Sequence, residues 1–130
     1  MDNKILFVLI DDDEEDYEIF KMAIDQIGES VSCLHFPDCE SALFHFSQKS
    51  VKAPNYVFID LNLPRIDGDQ CLQKLQELNE FDHPVITIYS TSIPDQWKPE
   101  LERIGVDNFI EKSASLSTLT EQIRNLMQQK

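Results

Sequence analysis

Basic residues are scarce in this sequence, which has 11 Lys and Arg residues against 24 Asp and Glu residues and a formal net charge of −13. Such a charge repels nucleic acid backbones and anionic lipid, so we expect no direct DNA binding and no membrane association. No stretch approaches the ~20 apolar residues of a membrane-spanning helix, and the charged start Met1–Lys4 is unlike a signal peptide. We therefore expect a cytoplasmic protein.

Cysteine is also rare. The cysteines are Cys33, Cys39 and Cys71. Because they are odd in number and lack a CxxC spacing, we predict buried thiols and neither a disulfide framework nor a zinc site. His35 and the two other histidines are equally scattered, and we interpret them as hydrogen-bonded or solvated side chains.

The pattern of apolar residues alternates between two periods along the 130 residues. Five short apolar runs predict strands at Ile5–Ile10, Val31–Phe36, Tyr56–Ile59, Val85–Tyr89 and Asp107–Ile110. Helical spacing of apolar residues follows each run, from Tyr17 to Ile27, Ala42 to Phe46, Cys71 to Leu78, Trp97 to Ile104 and Leu116 to Leu126. One domain of five βα units, residues 1–130, is the simplest interpretation.

This alternation predicts an α/β fold, a doubly wound parallel sheet with helices on both faces. The half-polar second strand and the short fifth strand suit the edges, which favours the order 2-1-3-4-5 of flavodoxin-like (βα)5 folds. In that topology a site lies at the carboxyl ends of strands one and three, where the winding reverses.

Polar residues follow the strands at that edge of the sheet. Strand one ends in Asp11-Asp12-Asp13, strand three in Asp60, strand four in Ser90 and strand five in Glu111-Lys112. Converging carboxylates repel one another unless a cation neutralises them, and oxygen ligands suit Mg²⁺. Helix capping and the helix dipole account for the acids from Asp13 to Asp16, with Asp13 as N-cap, but not for Asp60.

The isolated position of Asp60 suggests nucleophilic chemistry. A carboxylate can attack a phosphoryl group if a divalent cation and a fixed cation offset the charge on the transferring oxygens. Mg²⁺ and Lys112 could supply those charges, and Ser90 could donate a hydrogen bond to another phosphoryl oxygen.

Four segments together resemble the receiver domains of response regulators, including the stand-alone chemotaxis type. They are Ile5–Ile10 with Asp11-Asp12, the D-x-x-x-P-x-x-x-G segment from Asp60 to Gly68, Tyr89-Ser90-Thr91-Ser92, and Phe109-Ile110-Glu111-Lys112. The resemblance implies a single receiver domain without an output domain. It also implies a signalling phosphoacceptor that catalyses only its own phosphorylation and dephosphorylation.

For the acidic residues, the resemblance implies that Asp60 is the phosphoacceptor and that Asp12 and Asp60 bind Mg²⁺ directly. Asp11 would assist through water, and the main-chain carbonyl of Asn62 would be a further ligand. One departure from the family is Ser113, since the family usually has a proline after its lysine, in a cis peptide.

For the remaining positions, Ser90 and Lys112 would contact the phosphoryl group, and Phe109 occupies the switch aromatic position. The implied partners are a histidine kinase or histidine phosphotransfer protein as phosphoryl donor, and a downstream effector protein. The alternative that stays open is a receiver-like adaptor that binds its partners without phosphorylation.

Two other classes of protein fit less well. A phosphatase of the haloacid dehalogenase type needs a D-x-D-x-T segment, and the segment from Asp60 to Pro64 lacks the second acid and the threonine. A flavodoxin cradles phosphate in a loop rich in hydroxyl groups and glycine after strand one, where this chain has the acids Asp11–Asp16.

Overall fold

Five parallel strands form one sheet in a computed structural model that describes residues 4–61, 68–112 and 115–128. The strands are β1 (Ile5–Ile10), β2 (Val31–Phe36), β3 (Tyr56–Ile59), β4 (Val85–Ser90) and β5 (Asn108–Glu111). Their order across the sheet is β2-β1-β3-β4-β5, which places β2 and β5 at the edges. The predicted fold class, strand order and edge strands are confirmed.

Helices follow each strand. They are α1 (Glu14–Ile27), α2 (Cys39–Phe46), α3 (Gly68–Gln76), α4 (Lys98–Arg103) and α5 (Leu116–Gln128), with short 3-10 turns at Asn79–Phe81 and Asp95–Trp97. Among the helices in the described part of the chain, none has both the length and the apolar composition needed to cross a membrane.

The sheet has a hydrophobic core on each face. Residues of α1 and α5, such as Phe20 and Ile123, pack on one face, and residues of α2, α3 and α4, such as Phe46 and Leu72, pack on the other. Strands β1, β3 and β4 lie between the two cores. Their continuous apolar runs follow from this position, because side chains on both faces of these strands are buried.

The start of α1 is fixed by Asp13. Its Oδ1 accepts hydrogen bonds from the backbone N–H groups of Glu15 at 2.8 Å and Asp16 at 3.3 Å. These bonds satisfy two of the N–H groups that a helix start leaves without partners, so the predicted N-cap is confirmed. Helix α1 therefore begins directly after the aspartates that follow β1.

The helix predicted from Trp97 to Ile104 is shorter than expected. Trp97 lies in a 3-10 turn and is 46% exposed, while α4 begins at Lys98, next to Pro99. A proline suits the first helical turn because its missing N–H has no helical partner there. Trp97 therefore lies just before this helix and not in it, and β5 begins one residue later than predicted.

The prediction of three buried thiols is also wrong. Cys39 at the start of α2 and Cys71 in α3 form a disulfide, with their Cα atoms 5.7 Å apart, and only Cys33 keeps a free thiol. The two half-cystines are 32 residues apart in sequence and belong to different helices packed on the same core. Sequence spacing alone gives no signal for such a contact.

Candidate functional site

Two carboxylates meet where β1 and β3 end. The N–H of Asp60 donates to the carbonyl of Ile10 at 3.0 Å, which continues the pairing of the two strands and places Asp60 beside Asp11. Both residues are buried, while Asp12 is exposed. One oxygen from each of Asp11, Asp12 and Asp60 lies within 4.8 Å of the others. This acidic group could hold a metal ion, as predicted, and all its ligands would be oxygen atoms.

The two carboxylate oxygens of Asp60 have different donors. Ser90 Oγ donates to Oδ1 at 3.1 Å, and Lys112 Nζ donates to Oδ2 at 2.9 Å. Ser90 also accepts, through its carbonyl, a 2.9 Å hydrogen bond from the N–H of Lys112, so the ends of β4 and β5 are joined. The structure thus brings together three residues that the sequence placed at the ends of three strands.

The ammonium group of Lys112 lies among three carboxylates. Its Nζ is 2.7 Å from Asp16 Oδ2, 2.8 Å from Asp11 Oδ2 and 2.9 Å from Asp60 Oδ2. Burial by itself would lower the pKa of Lys112, but its close contacts with these carboxylates outweigh burial and hold the pKa above its ordinary value. Lys112 is therefore a fixed positive charge at the carboxyl edge of the sheet.

Asp16 was not among the predicted site residues. Its acidic character suits the first turn of α1, which is how the sequence alone accounts for it. Its contact with Lys112 follows from the position of the N-cap, because Asp16 lies three residues after Asp13 and turns back toward the sheet edge. The start of α1 and the end of β5, which are far apart in sequence, meet here, and no local pattern indicates that contact.

Asp11 is the most buried acid of the site. Desolvation raises the pKa of its carboxyl, while Lys112 and a 2.9 Å hydrogen bond from the N–H of Asp13 lower it only in part. Lys112 lies 2.8 Å from Oδ2 without well-aligned hydrogen-bond geometry, so this buried oxygen keeps unused acceptor capacity. A divalent ion at this group would offset the desolvation of Asp11, which Lys112 offsets only in part, so the group fits a divalent ion.

His35 supports the same edge from β2. Its Nε2 lies 2.7 Å from the carbonyl oxygen of Asp11, and its ring stacks on Tyr17 with 4.3 Å between the ring centroids. Because a carbonyl oxygen only accepts, Nε2 must be the protonated nitrogen. The interpretation of His35 as a hydrogen-bonded histidine is confirmed, and its partner is the main chain of the acidic group.

Gly68 explains the glycine of the motif that begins at Asp60. A Cβ atom at this position would lie 2.5 Å from the carbonyl oxygen of Asp60 and 3.0 Å from the Cα of Leu61. The N–H of Gly68 also donates to the carbonyl of Leu61 at 3.1 Å. The start of α3 therefore lies directly against the main chain of Asp60, and only glycine leaves room for it.

Phe109 lies on β5, next to β4 in the sheet, and is half-buried against the core on the α4 side. Lys98 Nζ lies 5.6 Å from the centroid of its ring. Its predicted role as a switch residue stays a prediction. Asn62, predicted as a ligand through its carbonyl, and Ser113, which follows Lys112, lie outside the described residues.

Comparison with known families gives a match that covers most of the chain. The model of the family described as "Response regulator receiver domain" matches residues 7–124. Among curated proteins, the chain is 33% identical over 118 residues to "Probable transcriptional regulator ycf27" from Galdieria sulphuraria, a match that covers 90% of this chain and 43% of that protein. The chain spans about half the length of most curated relatives it matches.

Solved structures show the same fold at lower sequence identity. The phosphorylated cyanobacterial phytochrome response regulator RcpA superposes with a TM-score of 0.81 at 22% identity, over 96% of this chain and 92% of that one. The Mn²⁺-bound form of response regulator Rcp1 superposes with a TM-score of 0.79 at 18% identity, over 96% and 93% of the two chains.

Proposed function

The chain belongs to the response regulator receiver domain family, and on this premise we propose that Asp60 accepts a phosphoryl group in two-component signalling. The donor is a histidine kinase or a histidine phosphotransfer protein. The observation that supports this most strongly is the surroundings of the Asp60 carboxylate. One of its oxygens accepts a hydrogen bond from Ser90 and the other accepts one from Lys112, and the neighbouring acids could hold a metal ion.

The proposed metal is Mg²⁺. Asp12 and Asp60 would bind it directly, Asp11 would assist through water, and the main-chain carbonyl of Asn62 is the further ligand expected from the family. When bound, Mg²⁺ offsets negative charge on the transferring phosphoryl oxygens. The unused acceptor capacity of the buried Asp11 Oδ2 supports this assignment.

In the proposed reaction, a carboxylate oxygen of Asp60 forms a bond to phosphorus. The bond between phosphorus and the imidazole nitrogen of the donor breaks, and that nitrogen leaves with the electron pair. Both oxygens of Asp60 accept hydrogen bonds beforehand, so at least one of these bonds must be given up. The released N–H of Lys112 or O–H of Ser90 then donates to a phosphoryl oxygen, and hydrolysis later removes the group.

The proposed output is a change in the face formed by α4, β5 and α5. Ser90 ends β4, and Phe109 lies on the adjacent strand β5, so a shift of Ser90 toward phosphate would alter the packing of Phe109. Trp97 is already 46% exposed at the edge of this face. A downstream effector would bind there, and the cytoplasmic location stays a prediction.

Binding of beryllofluoride in the presence of Mg²⁺ tests the proposal, because beryllofluoride imitates a phosphoryl group on a carboxylate. The wild type should bind it and Asp60→Asn should not. If neither protein binds it, or if the variant behaves like the wild type in signalling, the chain functions as an adaptor without phosphorylation. Equal effector affinity with and without beryllofluoride would contradict the proposed output.

A further inference from the structure

The ion pair between Asp16 and Lys112 is not explained by the proposed reaction of Asp60. At 2.7 Å it is the shortest of the three contacts between Lys112 Nζ and a carboxylate, and both side chains are mostly buried, with Asp16 21% and Lys112 12% exposed. We propose that Asp16 is a positioning residue that anchors the Lys112 ammonium group while Asp60 is modified. This inference rests on the proposed function of Asp60.

Lys112 has as many N–H donors as it has carboxylate neighbours. An ammonium group has three N–H bonds, and three carboxylates lie around it, those of Asp11, Asp16 and Asp60. During the proposed reaction the N–H on Asp60 is needed by a phosphoryl oxygen. The two remaining contacts must then keep Nζ in place, since a lysine side chain is long and flexible.

Of these two contacts, the one with Asp16 is the more independent. The described carboxylates close enough to share a metal ion are Asp11, Asp12 and Asp60, and Asp16 is outside this group. A bound divalent ion would attract the carboxylate of Asp11, but it would not contact that of Asp16. Asp16 therefore remains the partner of Lys112 that neither contacts the metal ion nor bonds to the phosphoryl group.

A role at the helix start alone does not account for Asp16. Asp13 already accepts hydrogen bonds there, and Glu14 and Glu15 place two further negative charges in the same turn. Asp16 differs from these exposed acids because its carboxylate turns toward the sheet edge and contacts Lys112. The backbone of Asp16 is itself held by Asp13, so the anchor is attached to a fixed helix turn.

A double-mutant cycle tests the anchor, with Asp16→Asn, Lys112→Met and their combination, and with Glu15→Gln as the matched control. Glu15 is exposed in the same turn, and the control removes the same charge without removing a contact to Lys112. Calorimetry gives the affinity of each protein for beryllofluoride at saturating Mg²⁺. We expect Asp16→Asn to weaken binding about fivefold or more, and Glu15→Gln to change it less than about twofold. In the Lys112→Met background, Asp16→Asn should have no further effect.

The proposal is overturned if Asp16→Asn binds as well as Glu15→Gln, or more tightly than the wild type. Tighter binding would mean that Asp16 competes with the phosphoryl group for Lys112. An equal loss from Asp16→Asn with and without Lys112 would also overturn it. Failure of the proposed function has a different result, because the wild type itself would then not bind beryllofluoride.

Discussion

Replacement of Lys112 by methionine should destabilise the protein in a way that depends on pH and on Mg²⁺. Methionine keeps an unbranched side chain of similar length and removes the positive charge, so the change concerns electrostatics more than packing. Without Lys112, the carboxylates of Asp11, Asp16 and Asp60 lose a shared cation at 2.7–2.9 Å.

The burial of these groups sets the size of the effect. Removing one partner of a fully buried ion pair costs ~3–5 kcal/mol, because the other partner stays as an unpaired buried charge. Asp11 is fully buried, but Asp16 is 21% exposed and Lys112 is 12% exposed, so water takes over part of the lost interaction. We therefore expect the free energy of unfolding to fall by about 2–3 kcal/mol at pH 7 without Mg²⁺.

The pH dependence follows from the raised pKa of Asp11, for which burial is the largest cause. A carboxyl group with a raised pKa binds its proton more tightly in the folded state, so stability falls as the pH rises from the ordinary value of 3.8 through the folded value. Lys112→Met removes an influence that lowers this pKa. The loss caused by the substitution should be small near pH 4 and should grow toward pH 7.

Mg²⁺ should reverse much of the loss. An ion that binds only the folded state stabilises it by ~2.7 kcal/mol at ~100 times its Kd. Because Lys112→Met makes the acidic group more negative, the variant should gain more from Mg²⁺ than the wild type gains. Urea denaturation at pH 4, 5.5 and 7, with EDTA or with Mg²⁺, measures all of these differences.

The matched control is Lys98→Met. Lys98 is 37% exposed and pairs with Asp95, which is 94% exposed, so we expect a loss below about 1 kcal/mol with no dependence on Mg²⁺. An electrostatic role for Lys112 is ruled out if Lys112→Met is as stable as the wild type at pH 7, or if its loss of stability is the same at every pH and Mg²⁺ concentration.

Two further predictions concern the supports of the site and of the fold. Gly68→Ala should displace the main chain of Asp60, because its Cβ would lie 2.5 Å from the Asp60 carbonyl oxygen. It should weaken Mg²⁺ binding in calorimetry, and unchanged affinity would contradict the close approach. Reduction of the Cys39–Cys71 disulfide should lower the free energy of unfolding by about 3–4 kcal/mol in the chain-entropy account, given the separation of 32 residues. Urea denaturation with and without reductant measures this loss of stability, and equal denaturation midpoints would count against a formed disulfide.

Much of the fold is predictable because each strand and helix of this chain carries its own periodicity. The run Ile5–Ile10 is apolar throughout since both faces of β1 are covered, and α1 is bounded by the N-cap Asp13 and by Gly28, whose φ of +134° suits glycine. The order of the strands then follows from the polar character of β2 and the shortness of β5. Because all the strands are parallel, the carboxyl ends of β1, β3, β4 and β5 lie at one edge of the sheet.

The contacts that the sequence does not reveal join distant segments. Asp16 lies in the first helix and Lys112 directly follows the last strand, while Cys39 and Cys71 belong to two different helices. Each pairing depends on helix rotation and tilt, which local patterns leave undetermined. Trp97 differs from its predicted place for another reason, since its spacing from Leu101 fits a helix, but α4 begins only at Lys98.

Acceptance of a phosphoryl group by Asp60 is tested most directly by the intact mass of the protein after incubation with acetyl phosphate and Mg²⁺. The wild type should gain the mass of one phosphoryl group, peptide mapping should place this group on Asp60, and Asp60→Asn should gain nothing. Omission of Mg²⁺ should suppress the gain. An unmodified wild type, or equal modification of Asp60→Asn, would contradict the assignment of Asp60 as the phosphoacceptor.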